Sequence, residues 1–148
     1  MAEKIFYFDV THAVREHDWI IDHSGGLHGI KDLGQLESVL THIQNDDYYP
    51  SFEEKLVHII FAINKIHAFT DGNKRSSLAL GAYFLELNGY DFAVTQFVRA
   101  MENMVVWLAE NKISKELLAE IVHSLICDDD YPESLKLRIA NAVWIIDN

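Results

Sequence analysis

Residues 77–85, SLALGAYFL, are apolar on every side when wound into an α-helix. A helix with no polar face belongs at the centre of a small domain, surrounded by amphipathic neighbours. The remainder of the chain supplies them. Residues 9–22 place Val10, Val14 and Ile21, with Trp19, on or near one face. Asp32 can cap the next helix, with Gln35 three residues on and an apolar stripe of Leu36, Val39, Leu40 and Ile43. Ser51-Phe52-Glu53-Glu54 is a capping box opening a helix to about Ile66, along which Phe52, Leu56, Ile59, Ile63 and Ile66 recur at helical spacing. The apolar helix itself runs from about Asn73 to Leu87, and Asn88-Gly89 stops it. Thr95 and Ser114 read as caps for helices near 96–110 and 115–126. Pro132 begins a last amphipathic helix carrying Leu135, Ile139, Val143 and Ile146. Trp19, Trp107 and Trp144 read most simply as core anchors.

One segment cannot join this pattern. His23 to Lys31, HSGGLHGIK, holds Gly25, Gly26 and Gly29, which supply the positive φ values of tight turns. It reads as a flap or short β-hairpin. The expected fold is therefore an all-α, compact single-domain helical bundle with a short β-hairpin flap. One domain spans residues 1–148, with a core of about 5–126 and an extra C-terminal helix of about 132–147.

Twelve basic residues against 23 acidic ones give a net charge of −11, which repels a polyphosphate backbone and argues against nucleic-acid binding. The single cysteine, Cys127, excludes an internal disulfide, offers no metal cluster, and suits a reducing compartment. No signal-peptide pattern and no membrane-spanning apolar run is present, so the expected setting is the cytoplasm.

Against that acidic background the turn His67 to Arg75, HAFTDGNKR, stands out. It joins two helices, and the N–H groups that open the second have no internal partner and carry the positive end of the helix dipole. Gly72 lets the backbone of Asp71-Gly72-Asn73-Lys74 come close to an anion, and Lys74 and Arg75 add side-chain charge, as a phosphate cradle requires. Asp71 makes sense in such a cradle if magnesium lies between its carboxylate and the phosphate oxygens. His67, on the opposite lip, is the natural base for a hydroxyl attacking phosphorus. These are the parts of phosphoryl or nucleotidyl transfer. A plain connecting turn uses Asp, Gly and Asn as well, for capping, and on the residues alone both readings stand. Turn formation does not ask for Lys74 and Arg75, whose charges oppose the dipole.

HAFTDGNKR resembles the signature loop of the Fic/Doc superfamily, roughly His-x-Phe-x-Asp/Glu-Gly-Asn-Gly/Lys-Arg. It is similar specifically to the Doc, or death-on-curing, branch, which has lysine where adenylylating members have a second glycine. The likeness extends to His17-Asp18, to Gly25-Gly26 and Gly29-Ile30, to Leu36-Glu37-Ser38, and to Phe84 through Tyr90, covering about residues 5–125. The resemblance implies that His67 is the base, Asp71 the Mg2+ ligand, and Asn73, Lys74 and Arg75 the phosphate contacts. It makes Phe69 the anchor of the loop in the core, and Gly29, Ile30 and Lys31 part of a flap that aligns a target segment.

The co-substrate implied is ATP. The activity implied is a toxin's transfer of phosphate to a hydroxyl of a protein target, with elongation factor Tu as the example, arresting translation. Adenylyl transfer is the alternative, ranked lower because Lys74 replaces the glycine and Leu78 stands where adenylylating members have an arginine. A catalytically degenerate protein-binding module is the alternative of another class. No inhibitory Ser/Thr-x-x-x-Glu-Gly/Asn motif is found. Ser134 is followed at that spacing by Arg138, so restraint is expected from a separate antitoxin, with neither nucleic acid nor membrane as a partner.

Other histidines are less telling. His17-Asp18 is also a dipeptide of metal-dependent phosphohydrolases, but that use needs further ligands on other helices. His23 and His28 flank the flap glycines. His12, His42, His58 and His123 read as surface or partly buried structural residues.

Overall fold

A computed structural model describes residues 4–147. The described residues form α1 (Val10–Ser24), α2 (Leu33–His42), α3 (Phe52–Ile66), α4 (Asn73–Leu87), α5 (Asp91–Ala109), α6 (Lys115–Cys127) and α7 (Glu133–Asp147). No strand occurs among them, and none of the helices is long and apolar enough to cross a membrane.

Four helices begin where their sequences dictate. Asp9 accepts from the N–H of His12, Asp32 from that of Gln35, Ser51 from that of Glu54, and Ser114 from that of Leu117, at 2.9, 2.9, 3.1 and 3.1 Å. Each bond satisfies a backbone donor that the helix cannot. α5 starts earlier than expected. Asp91, not the residue after Thr95, opens it, because the carbonyl of Tyr90 already accepts from Ala93 and the Tyr90 ring is stacked 4.5 Å from Phe52. Thr95 therefore lies on the exposed face of an unbroken helix.

The core is shared by α3 and α4, with α3 the more deeply placed. Nine of the fifteen residues of α3 are buried, against six in α4. Leu56, Ile59, Ile60 and Ile63 of α3 meet Leu80, Phe84 and Leu85 of α4, Phe97, Met101, Val105 and Leu108 of α5, and Leu118, Ile121 and Val122 of α6. At Gly81 the α4 backbone comes so close to α5 that an added Cβ would lie 2.8 Å from Cζ of Phe97. Two tryptophans are not core anchors. α1 buries Ala13, His17, Ile20 and Ile21, which leaves Trp19 off the buried stripe, 57% exposed and stacked on His23. Trp144 is 71% exposed, and only Trp107 packs against the core. Ile146, expected on the last apolar stripe, lies outside the residues whose side chains are described.

The flap is not a hairpin. Gly25, Gly26 and Gly29 have φ of 87°, 119° and 131°, and they send the chain past the 67–75 turn instead of back on itself. Ile30 forms a single antiparallel bridge with Phe69, so the partner of the flap is the turn.

Because Phe97 is buried and has nowhere to go, Gly81→Ala should cost about 1–3 kcal/mol as an overpacking change, even though alanine is the better helix former. Urea unfolding checks this, and an unchanged midpoint would show that α4 and α5 can separate freely.

Candidate active site

α3 ends on His67, whose φ of 50° and ψ of 57° put it in the left-handed region. Helices commonly stop in this way, but usually on glycine, because a side chain there costs energy. The reversal brings Ala68 and Phe69 straight into the core, both fully buried. Phe69 lies flat on His17, with ring centroids 3.9 Å apart and planes 6° apart. His17 is itself fully buried, and its Nε2–H donates to the carbonyl of Asp71 at 2.6 Å. Its other nitrogen is 3.4 Å from the Asp18 carboxylate. His17 thus supports the turn from beneath, and it joins no cluster of metal ligands among the described residues.

The main chain of the turn is satisfied on two sides. Towards the flap, the N–H of Thr70 donates to Gly29 at 3.0 Å, and the N–H groups of Lys31 and Asp32 donate to Ala68 at 2.8 and 3.2 Å. On the other side Asn73 bonds both backbone groups of Phe69: its Oδ1 accepts from the N–H at 3.0 Å and its Nδ2 donates to the carbonyl at 2.9 Å. The carboxamide of Asn73 is therefore occupied in shaping the loop.

That occupation leaves the start of α4 bare. Gly72, at φ 78°, is its N-cap, and no side chain caps it. Asp71 does not turn into the helix. Its Oδ1 accepts from the N–H of Gly72 at 2.8 Å and its Oδ2 from that of Leu27, in the flap, at 3.1 Å. The capping use of these residues is thus not realised, and the amides that open α4 are directed at an open space. That space is a cavity of about 360 Å³ lined by His67, Thr70 and Asp71 through Arg75, together with Asn64 and Ala109.

Charge is distributed unevenly around it. The backbone bonds from Leu27 and Gly72, assisted by Arg75 and His17, hold the Asp71 carboxyl below the usual carboxylate range. Lys74 is exposed, and its ammonium has no partner among the described residues. Arg75 is tied elsewhere: its Nη1 donates to Ser24 Oγ at 2.6 Å and to the carbonyl of Gly25 at 2.9 Å, with Nη2 4.0 Å from Asp71. Leu78 packs against the core.

His67, Asp71, Gly72, Asn73, Lys74 and Arg75 therefore surround one cavity. Phe69 lies beneath it, while Gly29, Ile30 and Lys31 run alongside the turn that forms its lip. Asn73 and Arg75, expected as phosphate contacts, spend their side chains on the loop and the end of α1. Asn64 was not anticipated. It is 98% buried, its Nδ2 donates to Ile60 and Ser77, and its Oδ1 has no partner. The signal available in the sequence was its position in the last turn of α3, three residues before the His67 cap. No described residue of α7 lines the cavity. Arg138 instead makes a two-pronged pair with Glu120 of α6.

His67→Gly should raise stability by up to about 1 kcal/mol, the relief of left-handed strain less the added chain entropy of glycine. A lower urea midpoint would show that the His67 backbone is unstrained. For Asp71 the folded pKa lies below the unfolded one, so its contribution is present at neutral pH and is lost as the pH falls through the folded value. Asp71→Asn should accordingly be less stable than the parent at pH 7, with the gap closing in strong acid. Denaturation midpoints across pH check this, and a pH-independent gap refutes it.

The geometry can be set beside related proteins. The model of the Fic/DOC family matches residues 7–85. The protein kinase doc of Escherichia phage P1 is 28% identical over 113 residues, covering 74% of this chain and 86% of its own length. Toxin Doc of Mycolicibacterium smegmatis is 29% identical over 85 residues, covering 55% of this chain and 65% of its own. The family match runs from the end of the N-terminal segment through α1, the flap, α3 and nearly all of α4, and so takes in every element that builds the cavity except Ala109 of α5. The chain belongs to the Fic/DOC family.

Proposed function

We propose that this chain is a Doc-like toxin phosphotransferase, which moves the γ-phosphoryl group of ATP to a hydroxyl of a target protein. The observation that carries the reading is the uncapped start of α4, opening beside His67, Asp71 and the unpaired Lys74 on one cavity. A phosphoryl group in that cavity would meet aligned backbone N–H groups and a lysine, which stabilise the charge on its equatorial oxygens without reorganising. His67 would take the proton of the attacking hydroxyl as the new O–P bond forms and the bond to the nucleoside diphosphate breaks.

The site residues fit magnesium. Asp71 offers an ionised, half-exposed carboxylate with hard oxygen donors, and a single carboxylate beside substrate phosphates is a common magnesium arrangement. Bound magnesium would supply charge neutralisation at the phosphates, and Asp71 would hold it. The two backbone donors on Asp71 fix its direction and keep it deprotonated.

The relatives' names, a protein kinase and a toxin, support phosphate transfer and a toxic outcome. Lys74 and Leu78 disfavour adenylyl transfer, because Lys74 occupies the place of a glycine and Leu78 is packed away as a hydrophobe. Elongation factor Tu is the first target to test, and a separate antitoxin is the expected restraint, since no described residue of α7 reaches the cavity.

Incubation with magnesium, cell extract and ATP labelled at the γ-position should label one protein band, while α-labelled ATP should not. Label from the α-position would replace phosphate by AMP. His67→Ala should reduce labelling by about 10²–10⁴-fold, the share of a general base, and should abolish growth arrest on expression. Growth arrest that persists in His67→Ala would identify a binding module instead of an enzyme.

A further inference from the structure

At the end of α3 opposite His67 a second group of side chains converges. Glu53 lies in the first turn of α3, while His123 and Cys127, four residues apart, share one face of α6. His123 Nδ1 is 3.1 Å from Glu53 Oε1 and 2.8 Å from its Oε2, Cys127 Sγ is 3.5 Å from Glu53 Oε1, and Cys127 Sγ is 3.8 Å from His123 Nδ1. One ligand atom from each residue falls within 4.8 Å of the other two. The cysteine expected to offer no metal cluster therefore has two further donors beside it.

These separations can be compared with those a metal imposes. Zinc bonds of about 2.3 Å to sulfur and about 2.0–2.1 Å to nitrogen or oxygen place tetrahedral S and N ligands about 3.5 Å apart, and N and O ligands about 3.3 Å apart. The triangle of Glu53 Oε1, His123 Nδ1 and Cys127 Sγ differs from that by no more than about 0.3 Å on any edge. All three side chains are accessible: Glu53 is 30% exposed, His123 is 60% exposed, and Cys127 is exposed. Asp128, held by a 3.1 Å bond from Ser124, adds negative charge beside them.

We propose that Glu53, His123 and Cys127 form a binding site for a divalent cation of the zinc class, with a fourth coordination position open to solvent. The mixed thiolate, imidazole and carboxylate set selects a borderline-soft ion and discriminates against magnesium, whose preferred oxygen donors are at Asp71. Binding releases the thiol proton of Cys127 to solvent. The proton now on Nδ1 of His123, bonded to Glu53, either leaves from the imidazolium or moves to Nε2, so that the Nδ1 lone pair faces the ion. The ion would join the start of α3 to the end of α6. Fourteen residues of helix, about 21 Å, separate Glu53 from His67, so the site braces the scaffold without touching the cavity.

The test uses Co2+ as the probe on metal-free full-length protein. One equivalent of Co2+ should produce the near-ultraviolet thiolate-to-cobalt band with intense tetrahedral visible bands, and Zn2+ should displace it. The thiolate band reports on Cys127 alone, since the chain has one cysteine. Cys127→Ser should abolish the band, and His123→Ala and Glu53→Gln should each weaken Co2+ binding at least tenfold, with circular dichroism unchanged. Zn2+ should raise the melting temperature of the parent and of Asp71→Ala, but not of Cys127→Ser. No band in the parent, or a band of undiminished affinity in His123→Ala and Glu53→Gln, overturns the proposal.

Discussion

The single hydrogen bond from His17 Nε2 to the carbonyl of Asp71 decides where the cavity end of this molecule can be built. A fully buried imidazole must find a partner, and here the partner is a backbone carbonyl one residue before the cap of α4. The same ring supports Phe69 through its face. α1, which also meets α4 where Arg75 bonds Ser24 and where His12 stacks on Tyr83, is therefore registered against α4 to within a hydrogen bond. The flap follows, because it leaves α1 at Ser24 and Gly25, the two groups that Arg75 grips.

Much of this was legible in the sequence, for local reasons. Capping residues and helical spacing are short-range signals, and the starts of α1, α2, α3 and α6 agree with them because each cap bond spans three residues. Thr95 misled because a cap-like residue can also sit on an exposed helix face, while Tyr90 began α5 through a stacking contact with a residue far away in sequence. Trp19 misled because burial follows the helix stripe that faces the core, not the size of the side chain. Most residues around the cavity, His67 and Thr70 through Arg75, are close together in the sequence, so their proximity was assured, whereas Ala109 comes from α5. What was not legible was the division of labour among them, since Asn73 and Arg75 bond to groups whose positions only the fold defines.

Long-range convergence was the least accessible part. Glu53 and His123 are 70 positions apart, and nothing in either local pattern indicates the other. The same holds for Gly81, whose missing side chain reads as flexibility in a sequence and as close packing against Phe97 in the structure.

The loop's own hydrogen bonding has a kinetic implication. Phe69 has its neighbours' backbone groups paired with the flap and its own paired with Asn73, so the segment behaves like the middle strand of a miniature sheet whose outer member is a side chain. Its conformational entropy is spent during folding and not at encounter with a ligand. Association at this end of the molecule should then follow the diffusional kinetics of a ready receptor, with a rate linear in ligand concentration and no saturating ordering step.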